Sequence, residues 1–312
     1  MAERNYSWAT MTGDFAFDPD TVRFKGTLVK YPPADEPGPA LGIAICNQSF
    51  GGGSVSAEIT FSSPSSRASC LLILYYDPAT RAFVGAGIGN EALYGIAGFD
   101  NRWIPYVTVG DANRLEGSRL YHIECRVRGS LVDLFVDSVR VTTATLPVPL
   151  PRSQVGIWCR DSADISVHGF TVVPESPRAF VIMQLTSPYN ELYQEVVRPV
   201  CEAMSVRAIR ADETYGPGLI IADVVRQINE SKFVIAEITP ANPNVYYEVG
   251  YSHACGKPTI LIADRKIEKL PFDVSPFRTL FYENSIEGKR RVEEGLRRHI
   301  KEVLGLPDAT AT

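Results

Sequence analysis

Hydrophobic and polar residues alternate through the first half of the chain. Val55, Ala57, Ile59 and Phe61 interleave with Ser54, Ser56, Glu58 and Thr60, which makes a strand with one apolar and one wet face. Runs of the same kind recur at 71–76, 82–88, 106–109, 120–127, 131–136, 139–143, 155–159 and 165–172, bounded by Gly, Pro, Asn and Asp. No helical period interrupts them. Residues 1–173 are therefore predicted to form an all-β, antiparallel two-sheet sandwich or jelly roll, with Gly129-Ser130 and Asp137-Ser138 as tight turns of a meander.

The period changes at the proline-bracketed stretch Pro174-Glu175-Ser176-Pro177, and residues 174–178 read as a linker. From 179 to 312 apolar runs alternate with helical stripes, and strands are predicted at 179–183, 206–209, 233–238, 259–263 and 279–282. Helices are marked by Leu192, Val196, Val200 and Met204, by Ile221, Val224, Val225 and Ile228, and by Val292, Leu296, Ile300 and Val303. Ser187-Pro188 is the expected cap and first position of the first helix, and Pro199 is expected to kink it. Tyr215-Gly216-Pro217-Gly218 is the loop into the second. This alternation predicts a parallel, doubly wound α/β sheet in flavodoxin-like order, with its crevice beyond the ends of the first and third strands.

Phe233-Val234-Ile235-Ala236 has the apolar, β-branched character of a strand buried on both faces, and Glu237 stands where it emerges. Asn242 and Pro243 open a helix as N-cap and first residue, and Gly256 with Pro258 closes it. Glu248 lies on that helix. Open α/β sheets bind ligands beyond the carboxyl ends of their strands, so Glu237 and Glu248 are expected to face one crevice as paired carboxylates. One of such a pair attacks or stabilises an electron-poor carbon while the other positions the sugar or handles a proton. That equipment suits an N-glycosidic bond, whose cleavage passes through an oxocarbenium-like centre. Tyr189, Tyr247 and Tyr251 are candidate stacking faces or orienting hydroxyls. Without a Walker lysine, a GxGxxG after the first strand or a His/Cys cluster, the domain is a poor fit to phosphoryl transfer, hydride transfer or zinc chemistry, so neither cofactor nor metal is expected.

Composition narrows the partners. Apolar residues make up 45% of 312 and charged residues 21%, the balance of a soluble globular chain long enough for two domains. A net charge of −5 provides neither a general nucleic-acid surface nor a polybasic membrane anchor, and leaves small molecules as the expected partners. The six cysteines contain no CxxC pair and read as buried, reduced thiols. The start MAERNYSWATM lacks the basic and apolar regions of a secretory signal, and no apolar run reaches the roughly 18 residues of a membrane span. A cytoplasmic protein with no membrane association is expected.

The segment VIAEITPANPNVYYEVGYSHACGKPTILI resembles the nucleoside 2-deoxyribosyltransferases and the related deoxynucleoside-monophosphate N-glycosidases. Those families share a flavodoxin-like fold distantly related to the nucleotide-cleaving Toll/interleukin-1 receptor (TIR) domains. The likeness spans most of 180–304, and its specific part is Tyr247-Glu248-Val249-Gly250 with Gly256-Lys257-Pro258 and the spacing to Glu237. It implies that Glu248 is the nucleophile, forming a glycosyl ester at the anomeric carbon, and that Glu237 occupies an acidic position contacting base or sugar. It further implies a substrate contact from Tyr189 and self-association into homo-oligomers, while Gln184, Asp212, Asn242, Asn244 and Tyr247 stand as further candidate substrate contacts on the residues themselves. The loop Gln184-Leu185-Thr186-Ser187-Pro188 departs from the Gly-rich loop of phosphate-binding members, which speaks against monophosphate substrates. NPNVYYEVGYSHA is also similar to bacterial TIR-like proteins of antiphage defence, for which NAD is the usual substrate.

The first half resembles the concanavalin-like or laminin-G-like sandwiches in its meander, although Ser138 stands where those usually have Gly. That resemblance implies carbohydrate binding, with Trp8, Trp103 and Trp158 as rings that stack on a sugar or else pack within the sheets. Plainer readings stand beside the others. Glu248 is otherwise a solvated helix carboxylate, Glu237 an acceptor of loop amides, Asp212 a turn residue paired with Arg210, and Asn242 and Asn244 caps. A nucleotide sensor that does not cleave, and a lectin defined by its sandwich, are the rival functions.

Overall fold

A computed structural model describes residues 6–31, 36–89, 92–213, 220–267 and 269–306. Its contacts divide the chain into two units, one of Met1–Val127, Leu131–Leu146 and Leu150–Glu175, the other of Arg128–Ser130, Pro147–Pro149 and Ser176–Thr312.

The first unit consists of two antiparallel sheets. One holds, in order across it, Trp8–Thr12, Gly38–Phe50, Ser153–Asp161, Ser69–Tyr76, Phe83–Gly89, Tyr94–Phe99 and Trp103–Val109, with Leu28–Val29 added beside Gly38–Phe50. The other holds Val139–Thr145, Leu131–Val136, Leu120–Arg128, Gly53–Phe61, Ile165–Pro174, Thr21–Phe24 and Phe15–Asp18. Alternation fixes which face is buried: along Gly53–Phe61 every second side chain enters a core shared with Phe24, Phe50, Leu72 and Tyr121. Each such large apolar side chain contributes about 1.5–3 kcal/mol on leaving water. Strands of the first sheet are apolar on their outer face as well, where Ile45, Leu71, Ile73, Phe83 and Trp158 form a separate cluster. Asp137 and Ser138 turn the chain with φ of 50° and 67°, the double left-handed geometry of a two-residue hairpin, without the usual glycine. The Asp137 carboxylate compensates by accepting from His122 N at 3.0 Å and Arg119 at 2.9 Å.

Pro174 ends the last sandwich strand and residues 175–177 lead to the second unit. Its strands β1 (Arg178–Ile182), β2 (Arg207–Arg210), β3 (Phe233–Glu237), β4 (Thr259–Asp264) and β5 (Thr279–Tyr282) are parallel, in the order β2-β1-β3-β4-β5. The order reverses between β1 and β3, the switch point at which doubly wound sheets open a crevice. Among the described residues the longer helices alternate with these strands: α1 (residues 189–203), α2 (Ile220–Glu230), α3 (Pro243–Ala254) and α4 (Ile286–Leu304). One face of the sheet is covered by Tyr193, Val197 and Val200 of α1 with Leu296 and Ile300 of α4. The other is covered by Val224 and Ile228 of α2 with Val245 and Val249 of α3. Ile221, expected in the apolar stripe of α2, is 43% exposed.

One expectation for α1 is corrected. Pro188 takes the cap position without a side-chain bond, so the helix opens one residue late, and Ser187 instead donates to Glu191 at 3.0 Å. Pro199 lies just beyond a change in helical pitch. The turn before it, Tyr193–Val197, widens to π-helical geometry and Arg198 N bonds Tyr193 O five residues back. A proline offers no N–H and crowds the carbonyl four residues earlier, and the wider turn relieves both. The Tyr215-Gly216-Pro217-Gly218 loop lies outside the described residues.

α3 is capped as its sequence predicts. Asn242 Oδ1 accepts from Asn244 N at 2.9 Å, Pro243 is the first residue, and Gly256 follows the end with φ of 62°. Asn242→Ala should cost about 1 kcal/mol, read as a drop in thermal midpoint that Asn242→Ser largely restores. An unchanged midpoint would exclude a capping role.

Candidate active site

Parallel pairing places Glu237 at the tip of β3 beside β4, as its sequence position predicts. The side chain does not open to solvent: it is 0% exposed. Its Oε1 accepts from the Thr239 hydroxyl, from Thr239 N at 3.2 Å and from the Tyr282 hydroxyl at 3.2 Å. Oε2 is buried and has no hydrogen-bond partner among the described residues. Thr239 Oγ1 in turn accepts from Asp264 N at 2.6 Å, so the tips of β3, β4 and β5 are tied into one network. Burial pushes the Glu237 carboxyl up to about 7, with the nearby Asp264 carboxylate adding to the rise and the bonds from Thr239 and Tyr282 opposing it.

Glu248 lies six residues along α3, a rise of about 9 Å from its cap. Its helix neighbours Val245, Val249 and Ser252 are buried against the sheet, and Glu248 is half-buried with them. Among the described residues its carboxylate has no hydrogen bond or ion pair, while its carbonyl accepts from Ser252 Oγ at 2.8 Å. Burial alone raises this carboxyl, again to about 7. The two carboxyls are raised by different surroundings. Each is displaced by its own surroundings, and the charge that reaches Glu237 is that of Asp264.

The remaining candidates fall into two groups. Tyr189, half-buried at the start of α1, feels Glu237 and Asp264, which with burial raise its hydroxyl. Asn242 and Asn244 meet through the cap, and Tyr247 is 60% exposed on α3. Gln184 donates to Thr186 Oγ1 at 2.9 Å within its own loop. Asp212 is held in a two-pronged bond by Arg210 at 2.7 and 2.6 Å, so the plainer pairing is the one observed. Arg210 also reaches Asn190 at 2.9 Å and lies 4.5 Å over the Tyr193 ring. Among the described residues no group of three His, Cys, Asp or Glu is placed to hold a metal, and no helix is long and apolar enough to cross a membrane.

A cavity of about 510 Å³ lies beside the network, lined by Asp264 and Tyr282 together with Ser187, Glu191, Ser285 and Lys289. A larger one, about 850 Å³, follows edge strand β2 past Arg178, Arg207 and Glu202 and includes none of the candidate residues.

No family model and no curated protein matches this chain. Solved structures do. The carbohydrate binding module CBM66 from Bacillus subtilis is 14% identical, covers 54% of this chain and 96% of its own, and has a TM-score of 0.45. Bacillus licheniformis beta-glucanase is 12% identical over 55% of this chain and 96% of its own, with a TM-score of 0.38. Both likenesses belong to the N-terminal part. A smaller part is similar to a Clostridium botulinum CMP N-glycosidase, 18% identical over 39% of this chain and 98% of that one, at a TM-score of 0.32.

Sequence reasoning missed Thr239, Asp264, Tyr282 and Tyr246, whose hydroxyl donates to Ile238 O at 3.0 Å and is raised by burial and by Glu237. A signal for two of them was present. Asp264 and Tyr282 directly end apolar strand runs, and the rule that singled out Glu237 applies equally to every parallel strand.

Proposed function

We propose that the α/β unit cleaves an N-glycosidic bond in NAD or a (deoxy)nucleoside derivative, with Glu248 as nucleophile. The observation that carries this reading is a half-buried carboxylate without a partner, in the YYEVGY segment, held near a pKa of 7 by desolvation alone. A Glu Oε attacks the anomeric carbon, the bond to the base nitrogen breaks with its electron pair leaving on the base, and a glycosyl ester forms. Water or a second base then attacks the same carbon and returns the carboxylate. Glu237 serves as a positioning group that fixes Thr239, Tyr282 and the β4 tip. The test is release of free base from NAD and from each deoxynucleoside. Tight binding with the nucleotide recovered intact would favour a sensor instead. An antiphage-defence role follows only if NAD is the substrate consumed.

A second reading concerns the sandwich, which we propose binds carbohydrate. A groove of about 590 Å³ in this unit brings Trp8, Tyr6 and Phe170 together with Asp18, Asp20 and Thr21. Trp8 lies nearly parallel to Phe17 at 6.1 Å, and Phe17 is 39% exposed, so aromatic faces stand beside hydrogen-bonding groups as a pyranose requires. Trp158, at 7% exposure, packs instead against Trp103 at 5.2 Å. Trp8→Ala should weaken glycan binding about tenfold, measured on arrays and by titration. Equal binding by that variant would remove the groove from consideration.

A further inference from the structure

The parallel sheet has a free edge with a groove along it. Among the described residues β2 pairs with β1 on one side and with no strand on the other. Arg207 N donates to Pro177 O at 2.9 Å, so the backbone groups of Arg207 and Ile209 face β1 and those of Ala208 and Arg210 face outward. The outward N–H of Arg210 meets Glu213 Oε2 at 3.4 Å. That leaves Ala208, which lines the cavity of about 850 Å³ with Val206, Arg207 and Ile209. Outward N–H and C=O groups on an edge strand are a template for one strand more.

Helices bound this groove on both faces of the sheet, α1 through Arg198 and Glu202 and α2 through Gln227. A channel walled on both faces admits a single extended segment beside β2, but not a second sheet with covering helices of its own. The two walls differ in charge. Ala208 packs on the α1 side, so Arg207 projects to the α2 side, as does Arg178, its partner in register on β1. Glu230 of α2 holds Arg178 at 3.1 Å. Arg207 is exposed, and among the described residues its side chain has no ion pair or hydrogen bond. On the α1 side Arg198 lies between Glu202 at 2.9 Å and Glu213 at 3.7 Å, so that wall has no positive charge to spare. Side chains of an added strand alternate between the walls, and carboxylates on every second residue would all reach the basic one.

We propose that the β2 edge binds an extended acidic peptide, added as a further strand at Ala208 with alternate carboxylates facing Arg207. The site stands apart from Glu248 and from the Trp8 groove, and rests on neither proposed activity. Anisotropy titration of the full chain with fluorescein-labelled Thr-Glu-Val-Glu-Thr tests it. The controls carry Gln or Lys at both Glu positions, or N-methyl groups on the three central residues, or the same residues reordered as Glu-Glu-Val-Thr-Thr. The parent peptide is expected to bind at least about tenfold more tightly than the Gln, Lys and N-methylated peptides, and several-fold more tightly than the reordered one. Arg207→Gln should remove the preference for Glu over Gln. Ala208→Pro deletes the outward N–H at an edge position that tolerates proline, and should weaken the parent about tenfold. The N-methylated peptide tests the same bonds without altering the chain. Glu248→Gln should bind the peptide as wild type does. Equal affinity for the Glu and Gln peptides, full binding by the N-methylated or reordered peptide, an undiminished preference in Arg207→Gln, or no binding at all would overturn the proposal.

Discussion

Glu248→Gln should lower the rate of base release by roughly a thousandfold or more while leaving the fold intact, because the amide cannot form the glycosyl ester. The substitution is nearly isosteric, and the carboxylate makes no bond among the described residues that its loss would break. Its pH dependence separates two roles. A nucleophile must be ionised, and burial holds this carboxyl near 7, so the wild-type rate should climb through about pH 7 and level above it. A general acid at the same position would give the opposite slope. Steady-state rates between pH 5 and 9 decide between them, and the Gln variant should show neither limb.

Glu237 should make the α/β unit less stable as the solution becomes more alkaline. Its folded pKa of about 7 stands above the ordinary 4.5, so the proton is bound more tightly in the folded state. The resulting stabilisation is fully present below about pH 4.5, is lost as pH rises through 7, and is absent beyond. Over that window the loss is about 3 kcal/mol, on the order of 10 °C in the midpoint of a unit of this size. Thermal unfolding of the full chain at pH 5 and pH 8 should show this drop in wild type, less so in Glu237→Gln. Glu248 titrates in the same direction in both proteins, so the difference between them isolates Glu237. An equal drop in the two would mean that the buried carboxyl is not the group responsible.

Much of the architecture was legible in residue order because burial imposes period. Alternation at Gly53–Phe61 reveals a one-sided strand, and the continuous apolar run Phe233-Val234-Ile235-Ala236 reveals a two-sided one. The α3 cap was legible because Asn-Pro and Gly have stereochemical reasons to stand at helix ends. Long-range polar pairing was not. Nothing local to Glu237 shows that Tyr282, far along the chain, supplies a hydroxyl to it, or that Thr239 seals the tip. The surroundings of each acid were not legible either, since Glu237 sits at a strand tip while α3 carries Glu248 nearly two turns from its cap. Arg210 and Asp212, two residues apart, show the opposite case, in which short spacing identified the true partner.

The claim that Glu248 is a nucleophile is tested most directly by mass spectrometry of a reaction quenched during turnover of the substrate that releases base. An added glycosyl mass is expected on the peptide containing Glu248, absent from Glu248→Gln. Base release with that peptide unmodified, together with undiminished turnover by the Gln variant, would contradict it.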